Sequence, residues 1–414
     1  MRQRKKYIIC IILLGFLYSC KSYEKAGGVN MISRFNLTAF DLPAVFTLQH
    51  VTNDSTRIYI HLPFHKANNL IKPTEYVTLT AMTMKDIGDA DRFIWPPHSE
   101  RLINTFTLNA KRDTTISITV PINRNDYGWL QVRLYAPDSS IYIRRMLPFD
   151  KAHSGNQAFY HITNERNEVI HPAYLHTGSS YFIKHFSSAD SLIAERFSFY
   201  STPAAPIFFQ NAHQGLPVER DTLFRFATAD PIQFDSPGFY EIRRPFDSIG
   251  LQLLVHDGNF PELETAEDLI EPLRYISRND EYQKLRKAQD FKLQLDSFWL
   301  ARCGSMNVAR QSIKLYYNRV EFSNRLFSTY RAGWKTDPGL VYIMFGAPQK
   351  CYQFKAGEIW TYTNLPSQTE FVFTERHNER CSYWLELRRE QDYINFWNGQ
   401  SYKWRTGKMI SESP

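Results

Sequence analysis

From about residue 36 to residue 150, apolar side chains recur at every second position. Ile116, Ile118, Val120 and Ile122 share one face of a strand, with Ser117 and Thr119 on the other. Ile58, Ile60 and Leu62 repeat the pattern, as do Val77, Leu79 and Ala81, and Leu130, Val132 and Leu134. Turn clusters such as Asn123-Arg124-Asn125-Asp126 punctuate these runs. Half-buried strands at regular spacing predict an antiparallel β-sandwich over residues 36–152. A second β block spans 153–262, with strands expected at 180–186, 195–200, 206–210 and 222–227.

Within that second block, Asp235-Ser236-Pro237-Gly238-Phe239-Tyr240 joins a tight turn to an alternating strand. This resembles the tyrosine corner of immunoglobulin-like sandwiches, which needs the Tyr240 hydroxyl to bond back to turn backbone. After Leu263 the period lengthens to that of helices. Thr265 and Asp268 have capping-box spacing, and Asn279-Asp280-Glu281 opens a helix expected to reach about Arg302. A third helix is expected from about Ser305 to Arg331, with Gly304 as the breaker. Strands are expected at Leu340–Phe345, Glu358–Tyr362, Glu370–Phe373 and Ser382–Leu387. The expected fold class is mainly β with an α+β C-terminal part over 263–414. Two immunoglobulin-like β-sandwiches are followed by an αα-hairpin and a small antiparallel sheet.

The start of the chain has another character. Arg2, Arg4, Lys5 and Lys6 precede an apolar run from Tyr7 to Tyr18. That run is shorter than the roughly 20 residues a helix needs to cross a bilayer. Leu17-Tyr18-Ser19-Cys20 resembles the bacterial lipobox. Residues 1–19 are therefore expected to be a lipoprotein signal peptide, Cys20 the lipidated residue and 20–35 a tether. No Asp follows Cys20 and no acidic cluster stands nearby. The expected location is the outer membrane, anchored by lipid and facing the periplasm.

Charge narrows the partners. The formal +7 falls by four when the leader's basic residues go, leaving about +3, too little to argue for nucleic acid. A hydrophobic content of 43% and an aromatic content of 15% fit packed cores rather than disorder. Of five cysteines, Cys303, Cys351 and Cys381 remain after Cys10 leaves and Cys20 takes lipid. At most one bridge can form, and Cys351 with Cys381 is the candidate pair.

One ordered set of residues carries a resemblance. Gly333-Trp334-Lys335-Thr336-Asp337 ends the expected third helix, followed by Pro338-Gly339 and, further on, Phe345-Gly346-Ala347-Pro348. Upstream stand Pro272-Leu273-Arg274-Tyr275-Ile276, Phe298-Trp299 and Asn318-Arg319-Val320; downstream stands Glu358-Ile359-Trp360-Thr361-Tyr362. Together these resemble the GWxTD domain of bacterial envelope proteins, over roughly 265–390. The resemblance implies an envelope lipoprotein of Bacteroidota type and no established enzymatic activity. Pro338 departs from the pattern, where the family usually has Arg.

Two readings of the motif follow from its residue types. In the structural one, Gly333 takes a left-handed conformation to stop the helix, Trp334 packs back on the hairpin, and Thr336 and Asp337 bond turn backbone. In the other, Gly333, Trp334, Thr336, Asp337 and Arg319 form an interaction surface. Arg310, Lys314, Arg319, Arg325 and Arg331 make the third helix basic, which fits a solvated face or, alternatively, a surface for an acidic protein partner or lipid headgroups.

No GxSxG, HExxH, phosphate-loop or GxGxxG pattern occurs, and no Cys/His spacing suits zinc. The expectation is a non-enzymatic interaction or assembly component of an envelope machinery, without cofactor or metal. Secretion, outer-membrane protein assembly and surface-glycan assembly are the candidate settings. The alternative is a glycan- or ligand-binding module using Trp384, Trp397 and Trp404.

Overall fold

A computed structural model describes residues 28–31, 44–62, 76–87, 98–104, 114–137, 141–153, 156–198, 202–210, 220–365, 369–376 and 384–409. The first strand, β1 (Val29–Asn30), belongs to a sheet far along the chain and is taken up below. The alternating runs form β2 (Val45–Thr52), β3 (Ser55–Leu62), β4 (Tyr76–Met84), β5 (Ser99–Asn104), β6 (Thr114–Pro121), β7 (Tyr127–Tyr135) and β8 (Ile141–Asp150). They make two antiparallel sheets, β2-β3-β6 and β5-β4-β7-β8. Ile58 pairs with Ile118 and Ile60 with Ile116, so the apolar faces stand in register. Ile58, Ile60, Val77, Leu79, Ile116, Val120, Leu130, Val132 and Leu134 are buried between the sheets. Each contributes roughly 1.5–3 kcal/mol of burial.

The second sandwich contains β9 (Tyr160–Asn164), β10 (Leu175–His176), β11 (Ser180–His185), β12 (Ser191–Phe197), β13 (Arg220–Ala227), β14 (Ile232–Gln233), β15 (Gly238–Arg243) and β16 (Leu251–His256). Its sheets run β10-β16-β15-β12-β13 and β14-β11-β9. The tyrosine corner is present: the Tyr240 hydroxyl donates to the Ser236 carbonyl at 2.7 Å. Burial pushes that phenol up to about 12. The strand expected at 206–210 is instead a loop with a turn, because the stretch from 202 to 207 docks on the C-terminal part rather than on a sheet.

The C-terminal part holds α1 (Ala266–Ile270), α2 (Asn279–Arg286), α3 (Phe291–Cys303), α4 (Met306–Phe327), α5 (Asp337–Phe345) and α6 (Ile394–Arg405). Thr265 and Asp268 make the expected capping box. Gly304 takes φ +70° between α3 and α4, closing the αα-hairpin. Three expectations change. The helix from 279 is divided, since Asp290 accepts from the Leu293 N–H and caps a new start. Leu340–Phe345 is helix, not strand. Thr336 caps it and Pro338 lies in its first turn, while burial on every side removes the polar stripe that would reveal a helical period. The third change concerns residues 20–35, read as a tether: within them, β1 is a strand of the C-terminal sheet.

That sheet runs β1-β17-β18-β19-β20, with β17 (Lys350–Phe354), β18 (Gly357–Tyr362), β19 (Thr369–Arg376) and β20 (Trp384–Leu387). Val29 pairs with Gln353 and Asn30 with Tyr352, and the Met31 N–H donates to the Cys351 carbonyl at 2.6 Å. Met31 is buried in the C-terminal core, with Ile87, Met146, Ala204 and Ile207 from upstream. Among the described residues, no helix is long and apolar enough to cross a membrane.

Candidate functional site

Helix α4 ends at Phe327, and the chain doubles back so that the 3-10 turn Gly333–Lys335 lies against it. A Cβ on Gly333 would stand 1.8 Å from the Ser323 carbonyl oxygen, and one on Gly339 would stand 1.9 Å from that of Gly333. Both glycines are needed for close backbone approach. The expected left-handed helix stop at Gly333 is thus corrected: α4 has already ended, and contact rather than φ demands the glycine.

Trp334 is buried, its backbone N–H donating to Asn324 Oδ1 at 3.2 Å and its carbonyl accepting from the Tyr275 hydroxyl at 3.0 Å. The two rings meet edge to face, centroids 5.9 Å apart. Thr336 Oγ1 donates to the Gly333 carbonyl at 2.7 Å and accepts from the Gly339 N–H at 3.2 Å, capping α5. Asp337 is fully buried. Its Oδ1 accepts from Arg389 Nη2 at 2.5 Å, and its Oδ2 accepts from Arg389 Nη1 at 3.0 Å and the Leu387 N–H at 2.7 Å. Arg389 Nη2 also donates to the Ala205 carbonyl at 3.2 Å. Nearby, the Ala204 N–H donates to the Lys335 carbonyl at 2.9 Å and Arg331 Nη1 to the Thr202 carbonyl at 3.0 Å.

The family model of the GWxTD domain matches residues 238–406. The C-terminal part is a GWxTD domain. The matched stretch opens at β15, so it takes in the last two strands of the second sandwich as well as the helices and sheet. No curated protein and no solved structure matches the chain.

Within the GWxTD domain the motif faces inward. Gly333, Trp334, Thr336 and Asp337, expected as candidate contact residues, are all buried, which corrects the surface reading of them. They form a joint where α4, α5, β20 and the segment 202–205 meet. Arg319 is not on a solvated face either. Its Nη1 donates to the Ile343 carbonyl at 3.1 Å, near the end of α5, and its guanidinium lies over the Trp404 ring at 5.1 Å. Burial pushes its pKa down, against the pull of Tyr342 and Tyr362. Arg331 is buried too.

The proposed aromatic platform is dispersed. Trp404 is fully buried, with Nε1 donating to the Met344 carbonyl at 3.2 Å; Trp397 is buried, and Trp384 stands half-buried, edge-on to Tyr330. Helix α6, which carries Trp397 and Trp404, was not expected; their spacing as an inward face was the available signal. Cys351 is buried, its Sγ 3.9 Å from Glu358 Oε2. Its candidate disulfide partner Cys381, and the candidate lipidation site Cys20, lie outside the described residues.

Beside the motif opens a cleft of about 620 Å³ between the loop after β16, helix α1 and the 333–335 turn. Sequence spacing did not signal it. Glu264, Glu267 and Glu271 stand among its walls, with Lys335 beside Trp334. The Lys335 ammonium lies over the Trp334 ring at 5.2 Å, and burial pulls its pKa down while Glu271 pushes it back up. Arg286, paired with Glu271, and Arg331 line the cleft too, so the wall carries both signs and suits a zwitterionic or polar group. Among the described residues no group of three or more His, Cys, Asp or Glu side chains is arranged to hold a metal ion.

Proposed function

We propose that this protein is a lipid-anchored, periplasm-facing outer-membrane component that acts by holding partners together rather than by turning over a substrate. The observation that carries this reading is the use of the motif itself. Its one carboxylate, Asp337, is engaged by a bidentate arginine and a backbone N–H with no exposed surface, so it serves as a strut. A strut that joins the GWxTD domain to the 202–205 segment makes a stiff body suited to presenting surfaces. Phe246, almost wholly exposed in the loop between β15 and β16, and the half-exposed Phe209 are apolar contacts it offers. Secretion, outer-membrane protein assembly or surface-glycan assembly is the setting.

Strand β1 changes the geometry of this reading. From Cys20 to Val29 a fully extended chain reaches about 30 Å. A lipid on Cys20 would therefore hold the GWxTD domain close to the membrane, rather than at the far end of two spacer sandwiches.

Two measurements test the proposal. Cys20→Ala should move the protein to the soluble periplasmic fraction, and affinity recovery of the parent from solubilised membranes should bring a stoichiometric partner. A Cys20→Ala protein that stays in the membrane, or a parent recovered alone, overturns it. The cleft beside Lys335, lined by both signs of charge, favours a second reading, a module binding a small zwitterionic or polar ligand; saturable binding weakened by Glu267→Gln would support that one.

A further inference from the structure

The two sandwiches meet across a surface built around histidine, which neither the motif nor the cleft uses. His61 on β3 faces His171, which caps the 3-10 turn Pro172–Tyr174 of the second sandwich, with ring centroids 5.8 Å apart. Both nitrogens of His61 reach hydroxyls of its own sheet, Thr47 and Thr115, each at 3.0 Å. His171 Nδ1 accepts from the Ala173 N–H at 3.2 Å, the ring is hydrogen-bonded to the Phe46 backbone across the interface, and Tyr174 leans on it at 5.2 Å. A second contact lies nearby. His50 on β2 stands edge-on to Phe159 at 4.6 Å, and Phe159 stacks on His185 at 5.9 Å. His50 also bonds the Thr56 hydroxyl at 2.9 Å and the Asp150 carbonyl at 3.3 Å.

Among the described residues, few charges act on these rings. Asp150 and Lys151 act on His50 with opposite sign, and His61 acts on His171. Lys184 and Arg57 oppose a proton on the neighbouring His161; Arg244 and Asp247 act on His185 with opposite sign. Burial pulls His50 and His61 down to about 4 and His171 to about 3. All three are therefore neutral at pH 7 in the closed arrangement.

We propose that the interface between the two sandwiches is an acid-loosened hinge, held shut by neutral His50, His61 and His171 beside the apolar contacts of Ile87 and Met146 with the C-terminal core, and loosened when the three rings take up protons. Closed rings bind protons more weakly than water-exposed ones, whose pKa is about 6.5. Closure is therefore undiminished above about pH 6.5 and weakens as the pH falls towards 4. At pH 5 the closed-to-open ratio drops for each of His50 and His61, by at most about 30-fold, the limit reached if opening returns the ring fully to water. Imidazolium at both His61 and His171 adds like-charge repulsion across the interface.

Solution scattering on the lipid-free full chain from pH 7.5 to 4.5, with circular dichroism in parallel, tests this. The expected result is an expansion with its midpoint between pH 6.5 and 4 while β content holds. His61→Gln with His171→Gln should shift that midpoint to lower pH or remove the expansion. Unchanged dimensions, simultaneous loss of β structure, or the same transition in the double variant would overturn the hinge. Should the double variant misfold, the parent's imidazole proton resonances decide. Titration of His61 and His171 well below 6.5 in step with the expansion supports it; titration near 6.5 overturns it.

Discussion

The first sandwich and the GWxTD domain are both closed by burial, but in different currencies. The first is filled by Ile, Leu and Val from its own strands, each inward residue repeating the role of its neighbours. The domain's interior is crowded with Trp, Tyr and Phe, pinned by the Asp337–Arg389 pair, and it borrows Met31, Ile87, Met146, Ala204 and Ile207 from the chain before it. Repetition spreads stability over many replaceable contacts. A buried ion pair concentrates it on one, since neither charge can be lost without stranding the other.

That contrast is open to measurement. The largest effect is expected at Asp337. Asp337→Ala leaves Arg389 buried without its carboxylate and should cost about 3–5 kcal/mol, lowering the melting of the GWxTD domain while the first sandwich melts as before. Asp337→Leu combined with Arg389→Met should recover much of the loss; a single variant that melts like the parent would sink the strut. Trp334→Ala should cost a similar 3–5 kcal/mol in the same transition. Leu79→Ala, in contrast, should lower only the first sandwich's transition, by about 2–5 kcal/mol in differential scanning calorimetry. If both transitions fall together, the two cores are not separate units.

Smaller effects sharpen the picture. Glu281 ties α2 to α3 and α6 through Arg302 and Arg405. The Arg405 hydrogen bond, ahead of the Arg278 N–H and Arg302, holds its carboxyl well below the usual range. A depressed carboxyl lends stability above about pH 4.5 that is lost as pH falls through the folded value. Glu281→Gln should thus cost on the order of 2 kcal/mol at pH 7 and flatten acid unfolding below pH 4, as read by tryptophan fluorescence. Tyr240→Phe should be the mildest. Removing the bond to Ser236 should cost about 1 kcal/mol in the second sandwich, measured by urea unfolding.

The same contrast explains what was legible in the sequence. Period two exposed the strands of the first sandwich because a one-residue slip there would turn every apolar side chain outward. The capping box at Thr265 and the breaker Gly304 were legible because each acts on residues within one helical turn. Leu340–Phe345 has the pattern of a strand because a fully enclosed helix has no polar face to mark its period. Arg389 had no local signal at all: its partner Asp337 lies 52 residues away, and nothing in the spacing of either betrays the pair. The residue types of the motif allow both an inward and an outward reading; the close approach of Gly333 to Ser323, which selects the inward one, leaves no local signal. The cleft depends on three segments meeting, which no single stretch records.

The pairing of β1 with β17 also determines how tension would travel. Pull on the chain from the N-terminal side loads the ladder between Val29–Asn30 and Tyr352–Gln353, together with the Met31–Cys351 bond, before it reaches β2. Force directed along the strand strains those bonds together rather than one at a time. The first sandwich then hangs as a side branch between two points of attachment, off the line of load. The GWxTD domain is the part that feels the tug.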